Sequence, residues 1–272
     1  MEYIVLLVLG LLAGTIGSLV GLGGGIIIVP ALLFLGSTGF LSEASAQMAA
    51  GTSLLVIIFT GLSSTIAYYK QKKVDMKAGL ILFIGGGPGG MVGAWVNKQL
   101  NVEHFSLWFG LFMIFISIVL MFKDRIPPVK SKTKIGIWRT YIDRDGIQQT
   151  YGFQPIFAIS IAFIVGFLGG LLGIGGGSLM VPSLILLFHF PPHIAVATSM
   201  LLLFFTSVTS SITHIWLGHV NWFYALALIP GAWMGGTLGA KINQKLPSNM
   251  IVIILRIVLI FVGIRLIYMG LF

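Results

Sequence analysis

GSLVGLGGGIIIVP at residues 17–30 and GGLLGIGGGSLMVP at residues 169–182 are two versions of one phrase. Gly17, Gly21, Gly23, Gly24, Gly25, Val29 and Pro30 recur as Gly169, Gly173, Gly175, Gly176, Gly177, Val181 and Pro182, always 152 residues on. Gly14 and Gly166 extend the match backwards. Three adjacent glycines make a poor helix interior, because they carry the largest backbone entropy and no side chain to pack. Each cluster is followed by a fresh apolar run, from Ile26 or from Leu179. Each phrase therefore reads as a helical hairpin broken at its glycines.

Beyond the phrase the offset becomes 146. Thr52-Ser53 matches Thr198-Ser199, Ser64 matches Ser210, and Val74 matches Val220. Gly85, Gly90, Gly93, Ala94, Asn97 and Leu100 match Gly231, Gly236, Gly239, Ala240, Asn243 and Leu246. An ordered series of this length is an internal repeat. It divides the chain into a first membrane repeat at 1–122, a connector at 123–150 and a second membrane repeat at 151–272. Apolar segments run over 3–20, 24–36, 44–68, 76–96, 104–122, 153–171, 176–189, 193–216, 221–241 and 249–270. A full span needs about 20 residues, so 24–36 and 176–189 are half-depth or tilted passes.

Composition supplies the solvent. The 272 residues are 57% hydrophobic and only 8% charged, against about 25% charged in soluble domains. So few charges do not cover a domain of this size in water. The fold class expected is an all-α polytopic membrane protein of two homologous halves, each a broken hairpin plus three transmembrane helices. The first segment has no basic leader and no cleavage motif, so it is expected to stay in the mature chain. The absence of Cys excludes disulfides and thiolate chemistry.

The net charge of +9 lies in connecting loops, where the positive-inside rule accounts for it without nucleic acid. Lys70, Lys72, Lys73 and Lys77 crowd one loop, while its counterpart at 218–222 has no Lys or Arg. Conversely, Lys241 and Lys245 outweigh Lys98, which is offset by Glu103. Equivalent loops of opposite bias point to inverted repeats. That arrangement puts thirteen of the sixteen basic residues inside, counting the connector's Lys123, Arg125, Lys130, Lys132, Lys134, Arg139 and Arg144. The connector is expected to be a wet cytoplasmic loop, with Trp138 and Tyr141 at the headgroups.

Candidate site residues follow from the breaks. A helix starting in hydrocarbon has N–H groups that need partners, and its dipole favours an anion. This makes Gly23, Gly24, Gly25, Gly175, Gly176 and Gly177 candidates for substrate binding. Tight packing without a ligand is the other reading of the same glycines. Thr52, Ser53, Thr198 and Ser199 lie deep in matched helices, and Ser178 follows its triplet, either as ligand donor or as cap. Gln47 and His193 occupy matched positions one turn before Thr52 and Thr198. Arg256 and His214 are candidates for a charge or proton role. His189, His193 and His219 are further candidates for the proton role, because histidine as a residue type exchanges its proton near neutral pH. The acids, Glu2, Glu43, Asp75, Glu103, Asp124, Asp143 and Asp145, all fall at segment ends or in loops, which disfavours a cation pump and suits a negative substrate. No nucleophile elbow, zinc-spaced histidine pair or carboxylate pair within a span indicates an enzyme.

The stretches from Gly17 through Pro30 and from Gly166 through Pro182, with Gly51-Thr52-Ser53 and Ala197-Thr198-Ser199, resemble the sulfite exporter TauE/SafE family of 4-toluene sulfonate uptake permease type. The resemblance covers the chain apart from its central loop. It implies a multi-pass carrier of the bacterial or archaeal inner membrane for sulfite, thiosulfate, sulfoacetate or related small anions, and places the family's glycine-rich segments at Gly23–Gly25 and Gly175–Gly177. Ala197 stands where the first half has Gly51, so the two halves need not contribute equally. The partners expected are the anion, the bilayer, a coupling proton or other ion, and a second copy in a homodimer; no cofactor or metal is expected. An anion channel and a structural or insertase-type protein are the alternatives.

Overall fold

The computed structural model describes residues 2–41, 45–97, 102–121, 136–142 and 148–271. Most of the connector's charges, including Lys123 to Lys134 and Asp143 to Asp145, lie outside the described residues, as does the side chain of Ser178.

Among the described residues are ten helices: α1 (Glu2–Val20), α2 (Gly25–Ser37), α3 (Ala46–Lys70), α4 (Met76–Val96), α5 (Val102–Met121), α6 (Pro155–Leu172), α7 (Gly177–Leu186), α8 (Pro192–Trp216), α9 (Trp222–Lys245) and α10 (Ser248–Leu271). Among the described residues α1, α3, α4, α6, α8, α9 and α10 are long and apolar enough to cross a membrane. The helix ends follow local chemistry. Ser45, Asp75 and Asn221 cap α3, α4 and α9 by accepting the N–H three residues on. Pro155 and Pro192 open α6 and α8, where a missing N–H costs nothing. Gly173 closes α6 in the left-handed conformation, φ 69°.

The helices pair across the repeat. α1 packs most extensively on α9, and α4 on α6; α5 packs on α10 and α3 on α8. α9 also packs on α3, and α4 on α8. The result is two lobes. One holds α1, α2, α3 and α9; the other holds α6, α7, α8 and α4. They meet along α3 and α8, with α5 and α10 as a separate pair. Each lobe thus takes its fourth helix from the other repeat.

Glycine makes these crossings possible. A Cβ on Gly85, Gly89 or Gly93 of α4 would lie 2.0, 2.2 or 2.0 Å from the carbonyl oxygens of Ile159, Phe163 or Phe167 on α6. The matched residues Gly231, Gly235 and Gly239 of α9 would meet Leu7, Leu11 and Thr15 oxygens of α1 at 2.0, 2.4 and 2.2 Å. Without side chains the backbones come close enough for dispersion and weak Cα–H···O contacts over the whole crossing.

Polar bonds repeat the symmetry. Asn243 Nδ2 donates to Leu19 O at 2.7 Å, and its counterpart Asn97 donates to Leu171 O. Tyr68 Oη donates to Ser18 O at 2.9 Å; at the matched place His214 Nε2 lies 3.3 Å from Gly170 O. In hydrocarbon these bonds satisfy carbonyls at the ends of α1 and α6 that their own helices leave open.

The connector departs from the expected loop. Ile137–Ile142 (β1) and Gln148–Phe153 (β2) form an antiparallel hairpin. Trp138 packs over Gly152 and the Tyr151 ring lies tilted against Phe190 with centroids 4.4 Å apart, so the hairpin docks on the α7–α8 turn, where Gly152 N donates to Phe188 O. Its aromatic and β-branched residues pair well across two strands, and the Phe188–Phe190 surface supplies the apolar support that an isolated hairpin lacks.

Candidate functional site

The glycine breaks between α1 and α2 and between α6 and α7 meet where the lobes adjoin. Gly24 is the residue before α2, at φ 92°, and a Cβ there would lie 2.7 Å from Ala13 O. Only glycine fits that conformation and that gap. The turn is tied back to α1 by Leu22 N and Gly23 N, both donating to Gly17 O. Gly25 faces the opposite tip: its Cβ would lie 2.8 Å from Ile174 Cα and 2.9 Å from Gly173 O. Ile57 of α3 and Leu203 of α8, matched at the 146 offset, both lie against Gly23 and Gly175. The tips are therefore covered by one aliphatic side chain from each lobe, and both are fully buried.

The amides are the chemistry of this place. Gly25 and Ile26 open α2, and among the described residues their N–H groups have no backbone acceptor, whereas Ile27 and Ile28 both donate to Gly24 O. Ile26 N–H lies within the first turn, at the positive end of the helix dipole. In the second hairpin Gly176 precedes α7 at φ −65°, and Met180 N closes the first turn on Gly176 O.

The flanking hydroxyls divide. Ser199 Oγ donates to Gly21 O at 2.9 Å and so belongs to the tip. Its mate Ser53 lies buried with no partner for its hydroxyl among the described residues. Thr52 and Thr198 are engaged elsewhere, in a symmetric pair. Asn221 N donates to Thr52 Oγ1 at 3.0 Å, and Asp75 N donates to Thr198 Oγ1 at 3.1 Å. Each threonine thus holds the cap residue of the helix that its own lobe takes from across the connector.

Other candidates lie away from the tips. His193 Nδ1 is 2.9 Å from Asn243 Oδ1 and 3.1 Å from Lys73 Nζ. A proton on Nδ1 is donated to Asn243; a bare Nδ1 accepts from Lys73. Gln47, matched to His193, is half-buried near the start of α3. His214 Nδ1 lies 3.4 Å from His219 Nδ1, at the far end of α8. Arg256 donates to Leu120 O at the α5–α10 contact. The structure brings Gly23, Gly24, Gly25, Gly175, Gly176 and Ser199 together, with Gly177 as the first residue of α7, and disperses Thr52, Thr198, Gln47, His193, His214 and Arg256.

One cluster was missed in the sequence. Asp75 Oδ1 accepts from Ala78 N at 3.0 Å and from Arg139 at 2.6 Å, and Tyr151 Oη donates to its other oxygen at 3.2 Å. The carboxylate is 1% exposed while Arg139 remains 31% exposed. Burial, reinforced by the Asp75 charge and hydrogen bond, pushes the Tyr151 phenol up to about 12. The connector hairpin is in this way clasped to the start of α4, directly beside the Asp75–Thr198 bond. The match of Asp75 to Asn221, two cap-forming residue types, was the available signal.

Comparison with known proteins follows the same outline. The family described as Sulfite exporter TauE/SafE matches residues 6–266. The chain is 59% identical over 273 residues to the probable membrane transporter protein YunE of Bacillus subtilis, covering 100% of both. A probable membrane transporter protein of Methanocaldococcus jannaschii is 27% identical over 93% of this chain and 91% of its own. The Arabidopsis thaliana sulfite exporter TauE/SafE family protein 6 is 26% identical over 65% of this chain and 38% of its own length. No solved structure matches.

Proposed function

The chain belongs to the sulfite exporter TauE/SafE family of multi-pass inner-membrane transporters, and from that premise we propose that it carries a small sulfur oxyanion or organosulfonate by alternating access. The reading rests above all on the tip contact. Two glycine breaks face each other where the lobes meet, and among the described residues the first amides of α2 have no backbone acceptor. An anion placed there gains hydrogen bonds and the helix dipole, in a medium that offers no water.

Each repeat is a broken hairpin with three spanning helices, and the repeats are inverted. Support comes from which ends share a face. Asp75 with Arg139 joins the α3–α4 loop to the connector. Lys73, His193 and Asn243 add the start of α8 and the end of α9. His219, matched to Lys73, lies at the opposite end of α8. The moving bodies are the two lobes, because dividing the chain at its connector would break the α1–α9 and α4–α6 crossings. Ile57 and Leu203 part as the lobes rock, and the tips open to one side or the other. A gradient of a coupling ion or of the substrate itself, or the membrane potential, drives the cycle.

Proteoliposomes loaded with sulfite, thiosulfate, sulfoacetate or sulfate test the reading. A carrier shows uptake stimulated by the same anion on the opposite side; a channel shows flux without that stimulation. Gly176→Ala is the informative variant. Its backbone is unstrained, and its Cβ would meet Val165 Cγ1 at 3.2 Å and Val165 O at 3.3 Å, contacts that a shift of a few tenths of an ångström relieves. Folded yield should stay near normal while flux falls. Gly25→Ala wedges the tips and should lower flux as well. Undiminished flux in both variants would remove the tips from the mechanism.

A further inference from the structure

A groove of about 450 Å³ runs along the membrane-facing side of the first hairpin, walled by Ile16 of α1, Ile26 and Phe34 of α2, and Val258 and Phe261 of α10. Its lining is apolar except for Arg265. Arg265 Nη2 donates to Pro30 O at 3.1 Å, and its Nε–H is buried with no acceptor among the described residues. We propose that this groove binds one anionic phospholipid, with an acyl chain along the apolar walls and the phosphate on the Arg265 guanidinium.

Three observations favour this occupant. The volume suits on the order of fifteen heavy atoms at about 30 Å³ each, roughly one acyl chain. A guanidinium among hydrocarbon walls is costly unless an anion joins it, and its planar fork fits a phosphate in two-point fashion. The arginine is also not demanded by the repeat: the residue matched to it at the 146 offset is Val119. A charge present in one half only, at the end of a hydrocarbon slot, suits a ligand with one anionic end and one apolar end.

The test is retention of lipid by the whole purified protein, read by native mass spectrometry after exposure to phosphatidylglycerol or phosphatidylcholine. One phosphatidylglycerol should be retained with a preference of about tenfold over phosphatidylcholine, the scale of a charge-assisted pair. Arg265→Gln should abolish the preference, and Arg265→Lys should keep part of it. Ala31→Phe, which fills the slot, should lower retention of both lipids while the fold, read by thermal stability, is kept. Equal retention of the two lipids, or an undiminished preference in Arg265→Gln, would overturn the proposal. So would displacement of the lipid by millimolar inorganic phosphate, which would make the site one for free anions. None of these arms uses flux, so they stand or fall apart from the transport reading.

Discussion

Replacing Arg139 with Gln should loosen the connector hairpin without unfolding the membrane part. The Asp75 carboxylate is 1% exposed and would lose its charged partner, keeping Ala78 N–H and the Tyr151 hydroxyl. Breaking a buried ion pair costs about 3–5 kcal/mol, and an exposed pair at most about 1. With Arg139 nearly one-third exposed, an intermediate loss of about 1–3 kcal/mol is expected. That corresponds to roughly a 5- to 150-fold rise in hairpin opening. Hydrogen exchange at the β2 amides measures it directly, because opening must precede exchange. Asp75→Asn should cost less, since Asn still caps α4 and Arg139 can turn to water. The double variant should cost less than the sum of the singles, because the stranded carboxylate is what makes Arg139→Gln expensive. Exchange within twofold of the unaltered protein in Arg139→Gln would refute the reasoning and reduce the pair to a surface contact.

Three further outcomes are expected. Gly89→Ala and Gly235→Ala occupy matched places and should destabilise alike, by about 1–3 kcal/mol each from overpacking, measured by unfolding in mixed micelles; a large difference between them would deny the equivalence of the two crossings. Because the Tyr151 phenol is raised from 10 to about 12, its contribution is complete below pH 10 and is lost as pH rises from 10 to 12. Hairpin exchange should accelerate over that window alongside phenolate absorbance, and Tyr151→Phe should remove one tyrosine's share of the absorbance change, out of seven. Tyr68→Phe leaves Ser18 O short of one donor, and should cost about 1 kcal/mol, whereas a neutral result would mean that another donor takes its place.

The breaks, the helix limits and the equivalences were legible because glycine in hydrocarbon is expensive and an offset survives divergence. The segments at 24–36 and 176–189 correspond closely to α2 and α7. What no offset conveys is partnership. Gly89 matching Gly235 says that the two have similar surroundings; it does not say that α4 seeks α6. The hairpin was hidden by its charges, although Ile137–Ile142 and Gln148–Phe153 are rich in aromatic and β-branched residues, with Asp145-Gly146 between them in sequence. The offset pairs Thr52 with Thr198, but hydroxyls next to a helix start are drawn by backbone N–H groups as readily as by a ligand. An acid at a segment end is usually hydrated, and only the folded connector takes Asp75 out of water.

The borrowed fourth helix has a consequence for ancestry and for engineering. A protein made of one repeat would present a glycine-lined α4 face with nothing to fill it, and an α1 equally bare. Two such chains would complete each other only by trading that helix, so assembly and folding would be one event. The fused chain keeps this bargain within a single molecule. Fragments severed between β1 and β2 should therefore be insoluble when made separately and recover only when synthesised together, as obligate complements.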